Sequence, residues 1–325
     1  MLGVVGLVPV ISHAEEVTVA LQSDSGAWFS RCNNCQKTVD GTLDDTITVH
    51  SKTPTVGYAQ FRLIQLGNGK IALKADTGKF VARCRGCIAG RGQPDFITVH
   101  VGDENPPDYA QFTPELLTNG KYALKADTGK YLARCNGCSP GAAYPDAVTV
   151  HASDPYKEAY AQWNIIPISF PTGSKIALQA DTGTWFSRCN GCQRSVDGKI
   201  ADTITVHIKG SPSAAYSQFK VASVNGKIAL EADSGKFVAR CHNCIAGGTK
   251  PDFVTVHVPD AEPTYAQWTP ELLPNGRYGL RSDTNKYLAR CNGCSPGASH
   301  PDAVTIHATN PKAEAYAQWN IIWIP

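Results

Sequence analysis

Several features are missing from this sequence, and each absence closes off a class of function. There is no long run of one charge sign, and the formal net charge is only +2. Composition therefore gives no reason to expect nucleic acid or an anionic membrane as partner, since both call for clustered cations. Basic residues recur singly, as on a solvated sheet surface. No apolar stretch approaches the ~18 residues of a transmembrane helix, and helical periodicity is absent throughout. No cysteine is left over, because all 12 fall into six C-x-x-C pairs. There is no N-x-S/T sequon, only the weak N-G-C form at Asn136, Asn190 and Asn292. A phosphate-cradling glycine loop and a zinc-protease motif are also missing.

What is present is repetition. The stretch KIALKADTGKFVARCRGC, Lys70 to Cys87, returns in five variants ending at Cys35, Cys138, Cys192, Cys244 and Cys294. Each copy reads as an alternating strand, a tight Asp-Thr-Gly or Asp-Ser-Gly turn, a second strand and a C-x-x-C. A V/I-T-V/I-H strand follows, then a Y-A/S-Q-F/W strand. A period of roughly 50 residues marks a repeat architecture. Copies one and four share W-F-S-R-C-N and a V-D-G insertion, Val39 to Gly41 and Val196 to Gly198. Copies two and five share K-F-V-A-R-C and C-I-A-G; copies three and six share K-Y-L-A-R-C-N-G-C-S-P-G-A. The order is ABC-ABC, which points to a three-repeat unit duplicated whole.

Short strands at even spacing imply a closed or double-layered all-β fold. Three four-stranded units can close as a β-trefoil, a barrel capped by three hairpins. A six-bladed propeller needs the same number of units. The ABC-ABC order and the joint Pro167 to Ser174 (PISFPTGS) favour two tandem β-trefoils, at 15–168 and 175–325, with 169–174 as linker. The first 14 residues, MLGVVGLVPVISHA, carry an apolar run and a small-x-small site, and read as a secretory signal.

Within each repeat, A-L-x-A-D-T-G-K-Y-L-A-R, then a V-x-V strand and a final aromatic strand, resembles the fascin-like β-trefoil repeat. The resemblance runs from Val17 onward. It implies the trefoil fold and, by the family's activity, actin binding. The C-x-x-C pairs lie outside that family's pattern. The Y-A-Q-W strand is also similar, more weakly, to the glutamine-x-tryptophan strand of ricin-type trefoil lectins; here Gln162 and Trp163 are adjacent.

The cysteines are read as local disulfides in an oxidising compartment: Cys32 with Cys35, Cys84 with Cys87, Cys135 with Cys138, Cys189 with Cys192, Cys241 with Cys244, and Cys291 with Cys294. Each four-residue ring adds only about 2 kcal/mol in the chain-entropy model. Zinc is the rival, with Cys84, Cys87, Asp95 and His100 as an imaginable set. A second closely spaced ligand pair is missing locally, and Asp95 and His100 point to opposite faces of their strand. No metal or cofactor is therefore assigned. A redox role would need a helix N-terminus to depress a thiol pKa, and none is expected.

Two side-chain families remain. Asp24, Asp76, Asp127, Asp181, Asp233 and Asp283 open the turns, and an arginine precedes each first cysteine, from Arg31 to Arg290. These residues fit Asx turns and bidentate ion pairs, or a shallow sugar pocket in which aspartate accepts from hydroxyls. Tyr58, Tyr109, Tyr160, Tyr216, Tyr265 and Tyr316 open the fourth strands and could stack on a sugar face or pack between repeats. The strand histidines, His50, His100, His151, His207, His257 and His307, are read as hydrogen-bonded strand-end residues. Trp163, Trp268 and Trp319 stand where other copies have phenylalanine and are read as core. Catalysis needs residues that break the repeat symmetry; those that do (His242, His300, Glu104) are scattered, so no catalytic residue is assigned.

The functional expectation is a secreted, non-enzymatic, multivalent protein that binds carbohydrate or a glycosylated surface. The alternatives are a fascin-like, actin-binding cross-linker of the cytoplasm and a structural or matrix protein that self-associates.

Overall fold

Alternating apolar strands broken by glycine turns leave this chain almost no option but sheet. A computed structural model of the chain describes residues 16–41, 43–89 and 93–325. The candidate signal segment 1–14 lies outside the described residues. The first half contributes β1 (Val17–Gln22), β2 (Trp28–Asn33), β3 (Asp45–Ser51) and β4 (Phe61–Gln65) from its first repeat. The second repeat gives β5 (Ile71–Lys74), β6 (Phe80–Arg85), β7 (Asp95–Val101) and β8 (Thr113–Leu116). The third gives β9 (Tyr122–Lys125), β10 (Tyr131–Asn136), β11 (Asp146–Ala152) and β12 (Asn164–Pro167). Twelve more strands follow, from β13 (Lys175–Gln179) to β24 (Asn320–Ile324).

Antiparallel pairing runs β1–β4–β5, crosses to β8 at Ile71 and Phe112, continues to β9, crosses to β12 at Tyr122 and Trp163, and returns to β1. The sheet therefore closes on itself. The hairpins β2–β3, β6–β7 and β10–β11 stand over one end. They touch pairwise at Thr46 and Thr98, Thr149 and Phe96, and Ala147 and Thr48, so they form a triangle. A closed barrel beneath a triangle of hairpins is the β-trefoil arrangement. The second half repeats it in a sheet of its own, which excludes one ring of six blades.

Each hairpin carries a bulge: Phe80 pairs with Val101 and Val81 with Val99, so His100 of β7 is the extra residue. Phe80 and Val81 are ordinary neighbours on β6, so they point to opposite sides, and both are buried. Val81 enters the barrel core, whereas Phe80 fills a satellite cluster with Ala72, Ala82, Val101 and Ala110. The strand aromatic thus faces inward, but not into the barrel. Trp163, Trp268 and Trp319 are fully buried, and Trp163 meets Phe29 edge to face at 5.5 Å, as Trp319 meets Phe186 at 5.6 Å.

The tryptophans of the first repeat in each half serve a different purpose. Trp28 packs with the core of the second half and Trp185 with that of the first. Trp28 lies on Gly276, while Trp185 lies on Gly120. The Tyr122 hydroxyl donates to the Trp323 carbonyl at 2.6 Å, and the Tyr278 hydroxyl to the Pro167 carbonyl at 2.5 Å. Every one of these contacts recurs in the opposite sense, so the halves face each other about a local two-fold axis. The joint between them is pinned too: Ile168 donates to the Thr18 carbonyl at 2.6 Å and Gly173 to the Val221 carbonyl at 2.8 Å.

Candidate functional site

The turns place the aspartates. In the second repeat Ala75 donates to the Lys79 carbonyl and Gly78 to the Ala75 carbonyl, both at 2.9 Å, with Gly78 at φ +80°. This tight loop lifts Asp76 off the end of β5 toward the neighbouring repeat. There Arg31 reaches it with a fork: Nε to Oδ1 at 2.6 Å and Nη2 to Oδ2 at 2.9 Å. The third arm, Nη1, donates to Asp45 at 2.7 Å.

The same clamp occurs at every repeat and always reaches the next one. Arg83 grips Asp127, and Arg134 returns to Asp24, closing the circle in the first half. In the second half Arg188 grips Asp233, Arg240 grips Asp283, and Arg290 returns to Asp181. The guanidinium beside each of these aspartates holds its carboxyl below the usual range, against a smaller opposing effect of burial. Both oxygens of each carboxylate already accept from arginine, leaving a ligand only their remaining lone pairs. All six remain partly exposed, and Asp76 and Asp233 each line a groove. A groove of about 340 Å³ runs along Gln60, Arg62, Lys74 and Asp76, and one of about 180 Å³ along Gln218, Lys220, Glu231 and Asp233. These positions correspond by repeat, with Glu231 where the first half has Lys74.

The tyrosines do not open strands. Each sits in a one-turn 3₁₀ segment just before one: Gly57–Ala59, Asp108–Ala110, Ala159–Ala161, Ala215–Ser217, Thr264–Ala266 and Ala315–Ala317. The cause is a local contact of the glutamine that follows. Gln60 Nε2 donates back to the Pro54 carbonyl at 3.0 Å, with equivalents at Gln111, Gln162, Gln218, Gln267 and Gln318, and folds the preceding residues into a turn.

Held there, each tyrosine ring lies nearly parallel to a strand histidine. Tyr58 stacks on His50 at 5.6 Å between centroids, Tyr109 on His100 at 6.0 Å and Tyr160 on His151 at 5.5 Å. Tyr216 stacks on His207 at 6.4 Å, Tyr265 on His257 at 6.3 Å and Tyr316 on His307 at 5.4 Å. Tyr58, Tyr109, Tyr216 and Tyr265 are each 38% exposed. Tyr160 and Tyr316 are less so, and their hydroxyls donate to Glu158 and Glu314 at 2.9 Å. The grooves reach these turns through Gly57 and Ala215.

The histidines are in turn held by threonine. His50 Nδ1 is 2.7 Å from Thr48 Oγ1, and the other five repeat this contact at 2.7–2.8 Å. Burial keeps all six imidazoles below the ordinary histidine value, so they are neutral at neutral pH. Sequence reasoning did not foresee this Thr–His–Tyr relay, although Thr and His two apart must share one strand face.

Each cysteine pair starts near the end of the first strand of its hairpin and runs into the loop that follows. Sulfurs within a pair adjoin, and the Cα atoms are 5.6–5.8 Å apart, inside the span a disulfide accepts. Among the described residues no cysteine stands outside a pair, and no helix is long and apolar enough to cross a membrane.

No protein-family model and no curated protein matches the chain, so the fascin-like resemblance rests on the residues quoted above. Solved structures do match. A mosquitocidal holotoxin aligns with 95% of this chain and 34% of its own, at 8% identity and a TM-score of 0.38. This chain thus spans about a third of that protein's length. ThreeFoil, a designed 3-fold symmetric protein, aligns with 46% of this chain and 97% of its own, at 20% identity and a TM-score of 0.35. The agglutinin from Abrus precatorius aligns with 97% of this chain and 100% of its own, at 10% identity and a TM-score of 0.32.

Proposed function

We propose that this is a secreted, non-enzymatic, multivalent carbohydrate-binding protein. It is built from two three-repeat modules, 15–168 and 175–325, joined by 169–174 and descended in ABC-ABC order from one duplicated unit. The observation that carries the reading is the repeated, pre-oriented tyrosine. Tyr58, Tyr109, Tyr216 and Tyr265 each present an exposed ring whose orientation is already fixed by a threonine-held histidine. A rigid aromatic face is what the apolar side of a pyranose stacks against, and fixing it beforehand lowers the ordering cost of binding. Asp76 and Asp233 lie in the adjoining grooves, where their spare lone pairs accept from sugar hydroxyls.

Repetition supplies the strength. Equivalent weak sites on one rigid body raise avidity by about 10²–10⁴-fold over a single site when the ligand spans them. The six cysteine pairs, taken as disulfides, suit an oxidising compartment and support secretion. The test is a glycan array with a polysaccharide pull-down on folded, oxidised protein. Binding is expected, with a several-fold loss for Tyr58→Ala and near-complete loss when Tyr58, Tyr109, Tyr216 and Tyr265 are all replaced. Blank results in both assays refute the reading.

A further inference from the structure

One position breaks the internal symmetry in a chemically directed way. The loop that closes each module's last hairpin is tied to the first C-x-x-C of that module. Ala143 donates to the Cys35 carbonyl at 2.8 Å, and Ser299 to the Cys192 carbonyl at 3.0 Å. The residue after each anchor is delivered onto the free face of a strand histidine. In the first module it is Tyr144, whose ring stacks on His50 at 4.2 Å and 16°. In the second it is His300, which stacks on His207 at 4.1 Å and 13°. The backbone solution is the same, but the second module places an imidazole where the first has a phenol.

That exchange assembles a donor set. One nitrogen from each of His207 and His300 and the sulfur of Cys189 all lie within 4.8 Å of one another. His207 Nδ1 is held by Thr205 Oγ1 at 2.7 Å. The hydroxyl can accept from Nδ1–H, and in that tautomer Nε2 is free for a metal, which is how ligating histidines are usually supported. Drawing the three atoms to tetrahedral spacing needs a rotation of His300. Its half-exposed position on a turn between Gly297 and Pro301 permits that.

We propose that Cys189, His207 and His300 form a metal site of the second module, taking a borderline-soft divalent ion of the zinc class once the Cys189–Cys192 bond is open. Two imidazoles and one thiolate leave a fourth position to water or to Cys192, as such ions accept. Opening consumes two thiol equivalents of reductant, oxidised to their own disulfide, while each cysteine sulfur gains one electron and one proton. Binding then displaces the Cys189 thiol proton as the sulfur–metal bond forms. In the oxidised chain the sulfur is committed to Cys192 and only the imidazoles remain, so the site is conditional on thiol state. This inference does not rest on the carbohydrate reading.

The test is a cobalt(II) titration of the full chain, reduced by a phosphine without oxygen, followed by the thiolate-to-cobalt charge-transfer band. Wild type is compared with His300→Tyr, which installs the first module's own residue, and with Tyr144→His, which copies the set onto Cys32 and His50. The other dithiols contribute equally to all three proteins, so differences isolate the site. One cobalt per chain is expected to bind at least tenfold more tightly to wild type than to His300→Tyr, and Tyr144→His is expected to gain a second. Superimposable titrations of wild type and His300→Tyr overturn the proposal. So does equally tight binding by the unreduced wild type, since Cys189 is then not a ligand.

Discussion

Replacing Gly276 by alanine probes the contact that joins the two halves. Gly276 turns at φ +81°, and an added Cβ meets Trp28 at 2.8 Å from Cζ2 and 2.9 Å from Cη2. Gly69 occupies the corresponding turn of the second repeat at φ +77°, with nothing within 4 Å of the same Cβ. Both substitutions carry the left-handed backbone strain of about 1–2 kcal/mol. Only Gly276→Ala also forces a methyl into a rigid indole that is 1% exposed, adding the ~1–3 kcal/mol typical of overpacking. The expected losses are therefore about 1–2 kcal/mol for Gly69→Ala and about 2–5 kcal/mol for Gly276→Ala. Trp28→Ala costs about 3–5 kcal/mol by itself, but it removes the obstacle. The double variant Gly276→Ala with Trp28→Ala should fall short of additivity by the ~1–3 kcal/mol clash. Urea unfolding of the full chain, read from midpoint and slope, measures all four proteins. If Gly276→Ala and Gly69→Ala lose equal stability, or if the double variant is additive, the interlocked tryptophan does not join the halves as described.

Two further predictions concern the ring of clamps and the buried phenols. Arg134 keeps the Asp24 carboxyl below its usual range, so this pair's stabilisation is fully present above the unfolded value of about 3.9 and is lost as pH falls through the lower folded value. Arg134→Gln should cost about 1.5–3 kcal/mol at neutral pH and flatten the loss of stability below about pH 4; an unchanged acid limb in pH-dependent urea melts refutes the clamp. Tyr122→Phe and Tyr278→Phe each strand a buried carbonyl, at Trp323 and Pro167, and should each cost about 1–3 kcal/mol. Because the two contacts are related by the local two-fold axis, thermal melts should show matched losses, and a loss confined to one of them contradicts that relation.

The groups that fall into register through backbone periodicity could be read from the chain itself. Alternation in KIALKA, the Asp-Thr-Gly turn and the V-T-V-H strand are local patterns, and the strands form where they indicate. Burial of Trp163, Trp268 and Trp319 follows from their exchange with phenylalanine between copies. The bidentate arginine was legible as a type of contact, because an arginine and an aspartate recur at fixed places in every copy. Its destination was not, since the fork skips its own repeat and grips the next, a relation created only when three units close into a ring.

Other assignments were decided by contacts that strand alternation does not reveal, some local and some far apart in sequence. Tyr58 left the strand because Gln60 folds back on Pro54, and its ring found His50 only after the turn formed. Trp28 stands in the W-F-S-R-C-N stretch shared by copies one and four, yet its partner is Gly276, in the other half of the chain. His300 looked like an isolated exception until a backbone hydrogen bond to Cys192 set it against His207. Sequence alone therefore determined the strands, the turns and the six-part rhythm, because those depend on side-chain alternation and glycine conformations within a few residues. Which repeat each charge, ring and sulfur meets was decided by barrel closure and by the face shared between the halves, which bring together residues that no local spacing relates.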